Sequence, residues 1–168
     1  IGMAPGASWI AAKIFDNSGT ATVSAIHASL QWLIDPDDDT ETDDAPDIVN
    51  NSWNLLNSVD DCNDEFEADL TVLRAAEIVV VFSAGNSGPN SSTSMRPANN
   101  PPVHFATGSL DPSLVIESSS ARGPSACTAG FFPAVVAPGF SVETTGLTFG
   151  GIWPDHYEPV FGTSFAAP

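Results

Sequence analysis

The sequence predicts an α/β fold in three layers, with a doubly wound and mainly parallel sheet covered by helices. The continuous apolar run over residues 78–82 is typical of a central strand in a parallel sheet, because such a strand is buried on both faces. Short apolar runs also alternate with segments of helical periodicity, as expected where helical crossovers join parallel strands.

The elements follow in order along the chain. An apolar run over 9–15 predicts a first strand, and apolar residues at helical spacing over 23–34 predict a first helix. Residues 47–51 then predict a short strand, and a second helical pattern covers about 63–76. Beyond the strand at 78–82 the chain is rich in Gly, Pro, Ser and Thr, which predicts long loops and short strands over 103–107, 114–116 and 134–137, with no further helix.

Composition limits the partners. A chain of 168 residues that is 42% hydrophobic can bury one core, so a single domain is predicted. Its 21 Asp and Glu against 4 Lys and Arg give a net charge of -17. This argues against nucleic acid or an anionic membrane as partner, since both attract positive charge. No apolar run reaches the about 18 residues of a membrane span.

The negative charge is concentrated. Fifteen of the acidic residues fall between Asp35 and Glu77, most densely over 35–47. A solvated acidic face explains this pattern. The alternative is a cation site over 35–44, because Ca²⁺ prefers several carboxylate oxygens on flexible backbone. The segment lacks the glycine that an EF-hand loop needs at its sixth position, and no metal ligand is assigned.

Two short segments suit the chemistry of acyl transfer. In Gly162-Thr163-Ser164-Phe165-Ala166-Ala167-Pro168 a serine stands among small residues, which leaves room for an incoming carbonyl. The strand over 78–82 runs into a glycine-rich turn with Asn86, whose side-chain amide suits an oxyanion hole. Ser164 is therefore the candidate nucleophile and Asn86 the candidate oxyanion donor. A tight-turn serine and a turn cap are the structural alternatives.

Six motifs in order resemble the subtilases, the subtilisin-like serine peptidases. Besides GTSFAAP and SAGNSGP at 83–89 they are GMAPGA at 2–7, VNNSW at 49–53, SSARGP at 119–124 and VAPG at 136–139. The chain is most similar to bacillopeptidase F-like subtilases, which share an acidic insertion before an NNSW strand. The resemblance implies a subtilisin-like fold, here incomplete.

The resemblance implies a serine endopeptidase that hydrolyses proteins through an acyl-enzyme on Ser164, with Asn86 in the oxyanion hole. The family's catalytic Asp and His motifs would lie upstream of Ile1. We therefore expect residues 1–168 to be one partial peptidase domain, truncated at both ends. None of the chain's three histidines, His27, His104 and His156, stands in a segment that resembles the family's His-Gly-Thr motif.

Subtilases bind substrate by strand addition, so the resemblance also implies a peptide groove. The walls of its first specificity pocket would come from two segments, Ser52, Trp53 and Asn54 on one side and Ser83, Ala84 and Gly85 on the other. Asn54 and Met95 stand where the family usually has glycine. A thioether on the pocket floor would occupy volume, which predicts a shallow pocket for small or medium apolar residues.

Further expectations come with the family. They are protein or peptide substrates, no cofactor for the chemistry, a structural calcium as an option, a monomer and an extracellular location. An oxidising compartment would let Cys62 and Cys127 pair. The bond would close a loop of about 64 residues and stabilise the folded protein by about 4 kcal/mol in the chain-entropy model. Two separate thiols are the alternative.

Two other functions stay open. A sedolisin-type acid peptidase shares the fold and a similar serine motif, but it carries aspartate at the oxyanion position, so Asn86 argues against it. A catalytically inactive pseudopeptidase would bind peptides in the groove or calcium in the acidic segment. Only the upstream His and Asp motifs would separate that module from an enzyme.

Overall fold

A computed structural model describes residues 4–101, 103, 105–146, 152 and 156–168 of the chain. Within these ranges lie three helices and six strands. In chain order they are α1 (Val23–Trp32), β1 (Ile48–Asn51), α2 (Glu67–Ala75), β2 (Val79–Ser83), β3 (Phe105–Leu110), β4 (Val135–Pro138), β5 (Phe140–Thr145), β6 (Tyr157–Phe161) and α3 (Thr163–Ala166). Gly2 and Met3 of the first motif and His104 lie outside the described residues.

Four strands form a parallel sheet in the order β1-β2-β3-β4. The register places Ile48 opposite Val79 and Val81 opposite Phe105. The predicted α/β class with a mainly parallel sheet is confirmed. Since parallel strands end at the same edge, the residues that follow β1 and β2 meet there, which is where the sequence places its candidate site.

The two longer helices cover one face of this sheet. The Thr22 side chain caps α1 by accepting a hydrogen bond from the Ala25 N–H (3.2 Å). Their buried residues form one apolar cluster with the sheet, which includes Ile26, Leu30, Phe66, Leu70, Leu73, Val80 and Phe82. Burial of this apolar area is the main stabilising contribution on this side of the protein. None of the described helices is long and apolar enough to cross a membrane.

A second, antiparallel sheet leads into the C-terminal helix. Strands β5 and β6 pair with each other, and β6 ends one residue before Gly162. The Gly162 N–H donates to the Gly139 oxygen (2.8 Å), and α3 then lies against β2, β3, β4 and β6. The prediction of no further helix is therefore wrong for Thr163–Ala166, whose single turn is too short to show periodicity.

The predicted strand over 9–15 is wrong. These residues have no strand pairing in the described chain, and Trp9 is 84% exposed. They lie beside β1 across a largely apolar space of about 800 Å³. Apolar residues alone do not make a strand, because its backbone groups need a hydrogen-bonded neighbour. The predicted strand over 114–116 is also wrong, since only a single bridge joins Leu110 and Ile116.

Candidate active site

Three segments predicted to carry the site meet at the carboxyl edge of the sheet. The Ser52 hydroxyl, just after β1, donates to the backbone oxygen of Ser164 (3.1 Å). The Gly85 N–H, just after β2, donates to the Thr163 hydroxyl (3.1 Å). These contacts join residues that are 112 and 78 positions apart in the chain. The fold thus gathers the candidate nucleophile and both candidate pocket walls in one place.

Ser164 is the second residue of α3 and is half-buried. The helix begins directly after Gly162, whose φ of +119° lies in a region that residues with a side chain rarely adopt. This sharp turn brings Ser164 to the edge of the sheet beside Ser52. No described residue hydrogen-bonds the Ser164 hydroxyl. A serine hydroxyl in this condition is a weak nucleophile until a base accepts its proton.

Asn86 is exposed, and Thr163 fixes the orientation of its side chain. Both the N–H and the hydroxyl of Thr163 donate to Asn86 Oδ1, each at 3.0 Å. Because a backbone N–H can only donate, the carbonyl end of the amide must face Thr163. The Nδ2 end, with its two hydrogens, has no hydrogen-bond partner among the described residues and lies next to Gly162. This is the orientation that an oxyanion donor needs.

Thr163 is a site residue that the sequence analysis missed. It is fully buried, and its hydroxyl relays a chain of hydrogen bonds from the Gly85 N–H to the carbonyl of Asn86. In the sequence-based prediction it counts only as a small neighbour of Ser164. Its position at the start of a helix, next to the candidate nucleophile, is the one signal that could have singled it out.

The first predicted pocket wall divides between two environments. The Trp53 ring packs edge-on against Phe66 and Phe82, and its Nε1–H donates to Asn51 Oδ1 (3.1 Å). The indole therefore packs against the apolar cluster and does not line the predicted groove. Asn54 is half-buried, and its Nδ2 has no hydrogen-bond partner among the described residues.

The second predicted wall is buried backbone. Ser83 and Ala84 are almost wholly inaccessible, and Gly85 uses its N–H on Thr163 and its oxygen on the Ala121 N–H (2.9 Å). Met95 lies directly against this wall: a Cβ on Gly85 would overlap the Met95 thioether. The Ser87 hydroxyl lies 3.2 Å from the Met95 sulfur. Met95 thus occupies the space that an absent side chain at Gly85 leaves open.

The described histidines are engaged elsewhere. His27 Nδ1 lies 2.6 Å from Asp69 Oδ2, and His27 Nε2 lies 3.2 Å from Glu65 Oε1. The hydrogen bond to Asp69, followed by that to Glu65, raises the pKa of His27 above its ordinary value. His27 therefore ties α1 to α2 and is not placed to act as a base. His156 lies 3.8 Å from Glu158, beside β6.

The acidic segment brings three carboxylates together. Oxygens of Asp35, Asp37 and Asp44 lie within 4.8 Å of one another. Loss of hydration, and then repulsion from Asp37 and Asp35, raises the pKa of Asp44. Three carboxylate oxygens at this spacing match the ligands that Ca²⁺ prefers. Whether an ion binds here stays a prediction.

The whole chain matches one protein family. Residues 1–168 match the model of the subtilase family.

The chain belongs to the subtilase family.

Individual subtilases agree with this assignment. Bacillopeptidase F of Bacillus subtilis (strain 168) is 34% identical over 177 residues, which cover all of this chain and 11% of that protein. Subtilisin DY of Bacillus licheniformis is 30% identical over 171 residues, which cover all of this chain and 53% of that protein. The predicted resemblance to subtilases is confirmed, and the chain spans about half or less of these relatives.

A solved structure supports the fold. The prenylagaramide maturation protease PagA superposes with a TM-score of 0.69 over 92% of this chain and 49% of that chain, at 19% identity. This likeness confirms the subtilisin-like fold. It says nothing of which residues of the present chain act in catalysis.

Proposed function

We propose that this subtilase chain belongs to a secreted, monomeric serine endopeptidase that cleaves proteins through an acyl-enzyme on Ser164. One observation carries the proposal: the hydrogen-bond chain from Gly85 through Thr163 to Asn86 leaves the Asn86 amide hydrogens without a partner among the described residues, next to the Gly162 turn that precedes Ser164. A cap uses only the Oδ1 end, which here accepts from Thr163, so a cap alone gives no role to the amide hydrogens. An oxyanion donor must keep them available for substrate.

In the proposed reaction the Ser164 hydroxyl oxygen bonds to the carbonyl carbon of the scissile peptide while a base accepts its proton. The carbonyl oxygen gains negative charge, and Asn86 Nδ2 donates a hydrogen bond to it. Collapse of this intermediate breaks the C–N bond as the base returns the proton to the leaving amine. Water then attacks the acyl carbon as the base accepts its proton, and collapse breaks the bond to Ser164, whose oxygen takes the proton back while the carboxylic acid leaves.

The base and its carboxylate partner come, in this proposal, from a segment upstream of Ile1. In the described part of the chain β1 is an edge strand of the parallel sheet, and its outer edge offers a place for such a segment. The space of about 800 Å³ between β1 and residues 8–17 is lined in large part by apolar side chains, among them Ile14, Ile26 and Leu30. A strand paired with β1 would fill this space and satisfy the edge of the sheet.

The chemistry is tested with the complete natural protein. A fluorophosphonate probe forms a covalent bond only with an activated serine, and mass spectrometry identifies the labelled residue. We expect labelling at Ser164 and its loss in Ser164→Ala, with Ser141→Ala as the matched control that retains labelling. A folded protein that resists the probe would contradict the proposal and favour a pseudopeptidase that binds peptides.

A structural calcium ion is a second proposal, favoured by the Asp35, Asp37 and Asp44 cluster. An ion that binds only the folded state raises the temperature of unfolding with its concentration. We expect Ca²⁺ to raise the unfolding temperature of the natural protein more than Mg²⁺ does. The increase should be absent in a variant with Asp37→Asn and Asp44→Asn. An equal response of this variant would refute the site.

A further inference from the structure

Met95 is carried by a segment with an unusual set of buried polar contacts. We name residues 93–100 the floor segment. Two of its side chains, Ser94 and Asn99, are almost fully buried, and Asn99 Nδ2 donates to Ser94 Oγ (3.2 Å). Buried polar groups hold a fixed geometry because every broken hydrogen bond leaves a group without solvent. The floor segment is therefore anchored by direction-specific contacts on both sides of Met95.

One neighbour of the floor segment is the chain over residues 59–63. The Asp60 N–H donates to the Ser94 oxygen (2.9 Å), and Asn99 Nδ2 donates to the Asp61 oxygen (2.9 Å). Arg96 forms an ion pair with Asp61 Oδ2 at 3.1 Å. Val59 pairs with Met95 itself as an isolated antiparallel bridge. This neighbour thus contacts the floor segment before, at and after Met95.

The other neighbour is the chain over residues 125–127. The Ala126 N–H donates to Ser94 Oγ (2.9 Å), and the Ser125 hydroxyl donates to the Asn99 oxygen (3.1 Å). Ser94 and Asn99 are therefore bound by both neighbours. They lie between two outer segments that belong to no helix or named strand.

A disulfide joins the two outer segments. Cys62 and Cys127 are bonded across a sequence separation of 65, so the pairing left open by the sequence is found in the structure. The bond links the two segments that hold the floor segment, residues 59–63 and residues 125–127, with Ser94 and Asn99 between them. Neither outer segment can move away from the floor segment without straining the other.

We propose that the Cys62–Cys127 disulfide is a specificity element: it clamps the floor segment so that the Met95 side chain stays against Gly85 and restricts the first specificity pocket to small side chains. Methionine has three rotatable side-chain bonds and adapts to its surroundings, so it defines a pocket only when its backbone is held. The effect on specificity rests on the proposed peptidase function, whereas the position of Met95 does not.

A purely stabilising disulfide makes a different prediction. A cross-link acts mainly on the unfolded chain, so its loss lowers stability without changing the folded pocket. A clamp acts on the folded state: its loss frees the floor segment locally while the helices and the parallel sheet remain intact. The two roles are separated by a measurement on Met95 in protein that is still folded.

The first test follows oxidation of Met95. The complete natural protein and its double variant Cys62→Ser with Cys127→Ser are exposed to dilute hydrogen peroxide, and mass spectrometry measures sulfoxide at Met95. We expect oxidation about five- to tenfold faster in the double variant, because local opening exposes the thioether. Asn99→Asp, which keeps the shape but loses both donated hydrogen bonds, should raise the rate in the same direction.

Leu70→Ala is the matched control, because it weakens the apolar cluster on α2 and removes none of the hydrogen bonds that anchor Ser94 and Asn99. Peroxide concentration and temperature are set so that all variants remain folded by circular dichroism. Met95 oxidation at the parental rate in the double variant would overturn the proposal. So would an equal increase in Leu70→Ala, since that result would mean that general destabilisation suffices.

The second test measures the pocket. Peptide substrates with Ala or Phe on the acyl side of the scissile bond are compared by kcat/KM. We expect the preference for Ala over Phe to fall about tenfold in the double variant, mainly through a lower KM for Phe, because one or two methylene groups of pocket space are worth this much. An unchanged preference in an active double variant would refute the role in specificity. Absence of turnover in both proteins would instead refute the peptidase function and leave the oxidation result standing.

Discussion

Two regions of the molecule, a helical side and a pocket side, are held together by different physics. The helical side, where α1 and α2 cover the sheet, is a contiguous cluster of Ile, Leu, Val and Phe. The pocket side, formed by β3, α3 and the loops after β2, buries small polar residues, among them Ser94, Asn99, Thr107, Ser109, Ser120, Ser125 and Thr163. It also carries the disulfide.

This difference matches what each side has to do. Apolar attraction has little direction, so the helical side can stabilise the fold while tolerating small shifts of its side chains. Hydrogen bonds require particular distances and angles, so the pocket side fixes Asn86, Thr163 and Met95 where the proposed chemistry needs them. We therefore expect substitutions on the helical side to change stability, and those on the pocket side to change activity or specificity.

Truncation in the apolar cluster should produce the largest loss of stability. Leu70→Ala removes a fully buried side chain and should lower the free energy of unfolding by about 2–5 kcal/mol. Urea unfolding measures this loss, and the preference among substrates should not change in the fraction that stays folded. Val72→Ala, at a half-exposed position of the same helix, is the control with a small effect. A specificity change in Leu70→Ala would break the division between the two sides.

Loss of the oxyanion donor should produce the largest loss of activity. Asn86→Ala should lower kcat about 10²- to 10³-fold, the range established with subtilisin for one such donor. Thr163→Val should lower kcat about 10- to 100-fold, since without the hydroxyl the Asn86 amide is less firmly oriented. Thr163→Ser keeps the hydroxyl and is the matched control.

Stopped-flow or steady-state turnover measures these changes, and thermal unfolding checks that each variant retains its stability. A loss of kcat in Thr163→Ser equal to that in Thr163→Val would mean that the methyl group, and not the hydrogen bond, carries the effect. On the helical side we expect the reverse, because there the loss of side-chain volume should matter more than the loss of a hydrogen bond.

Met95 tests the pocket side without touching the reacting atoms. Met95→Gly should open the pocket and raise kcat/KM for substrates with Phe before the scissile bond by about 10- to 200-fold relative to Ala substrates. Met95→Leu keeps most of the volume and should preserve the preference for small residues. Efficient cleavage after Phe by the unaltered protein would show that Met95 does not limit the pocket.

The smallest expected effect is a pH dependence of the helical side. Because Asp69 and Glu65 raise the pKa of His27, the folded state binds the proton more tightly than the unfolded state does. The resulting stability is present in full below the ordinary His pKa of 6.5 and is lost as pH rises through the raised value. His27→Gln should lack this component, while the Gln31 amide still donates to Asp69 Oδ1 (3.1 Å).

Unfolding temperatures of the parent and of His27→Gln, measured from pH 6 to pH 9, check this expectation. The advantage of the parent should shrink as pH rises. An advantage that grows with pH would contradict the assigned direction of the shift. Activity should be unaffected at every pH where both proteins are folded, because His27 lies between the helices and not at the site.

Local pattern was enough where an element is long or strongly periodic. The apolar run over 78–82 became β2, shifted by one residue, and the helical pattern over 23–34 became α1. The pattern misled at 9–15, where an apolar run found no neighbouring strand in the described chain. It was silent for β5 and β6, whose mostly exposed residues include Pro159 and carry no apolar periodicity.

The sequence by itself determined the family, the fold class and the residue types of the candidate site, because motifs of a few residues and the spacing of apolar side chains are local properties. The tertiary structure decided the rest: which end of the Asn86 amide is free, that Thr163 orients it, that Trp53 turns into the apolar cluster, and that Cys62 meets Cys127. Each of these depends on atoms far apart in the chain, and their distances are set only when the sheet brings its carboxyl ends together.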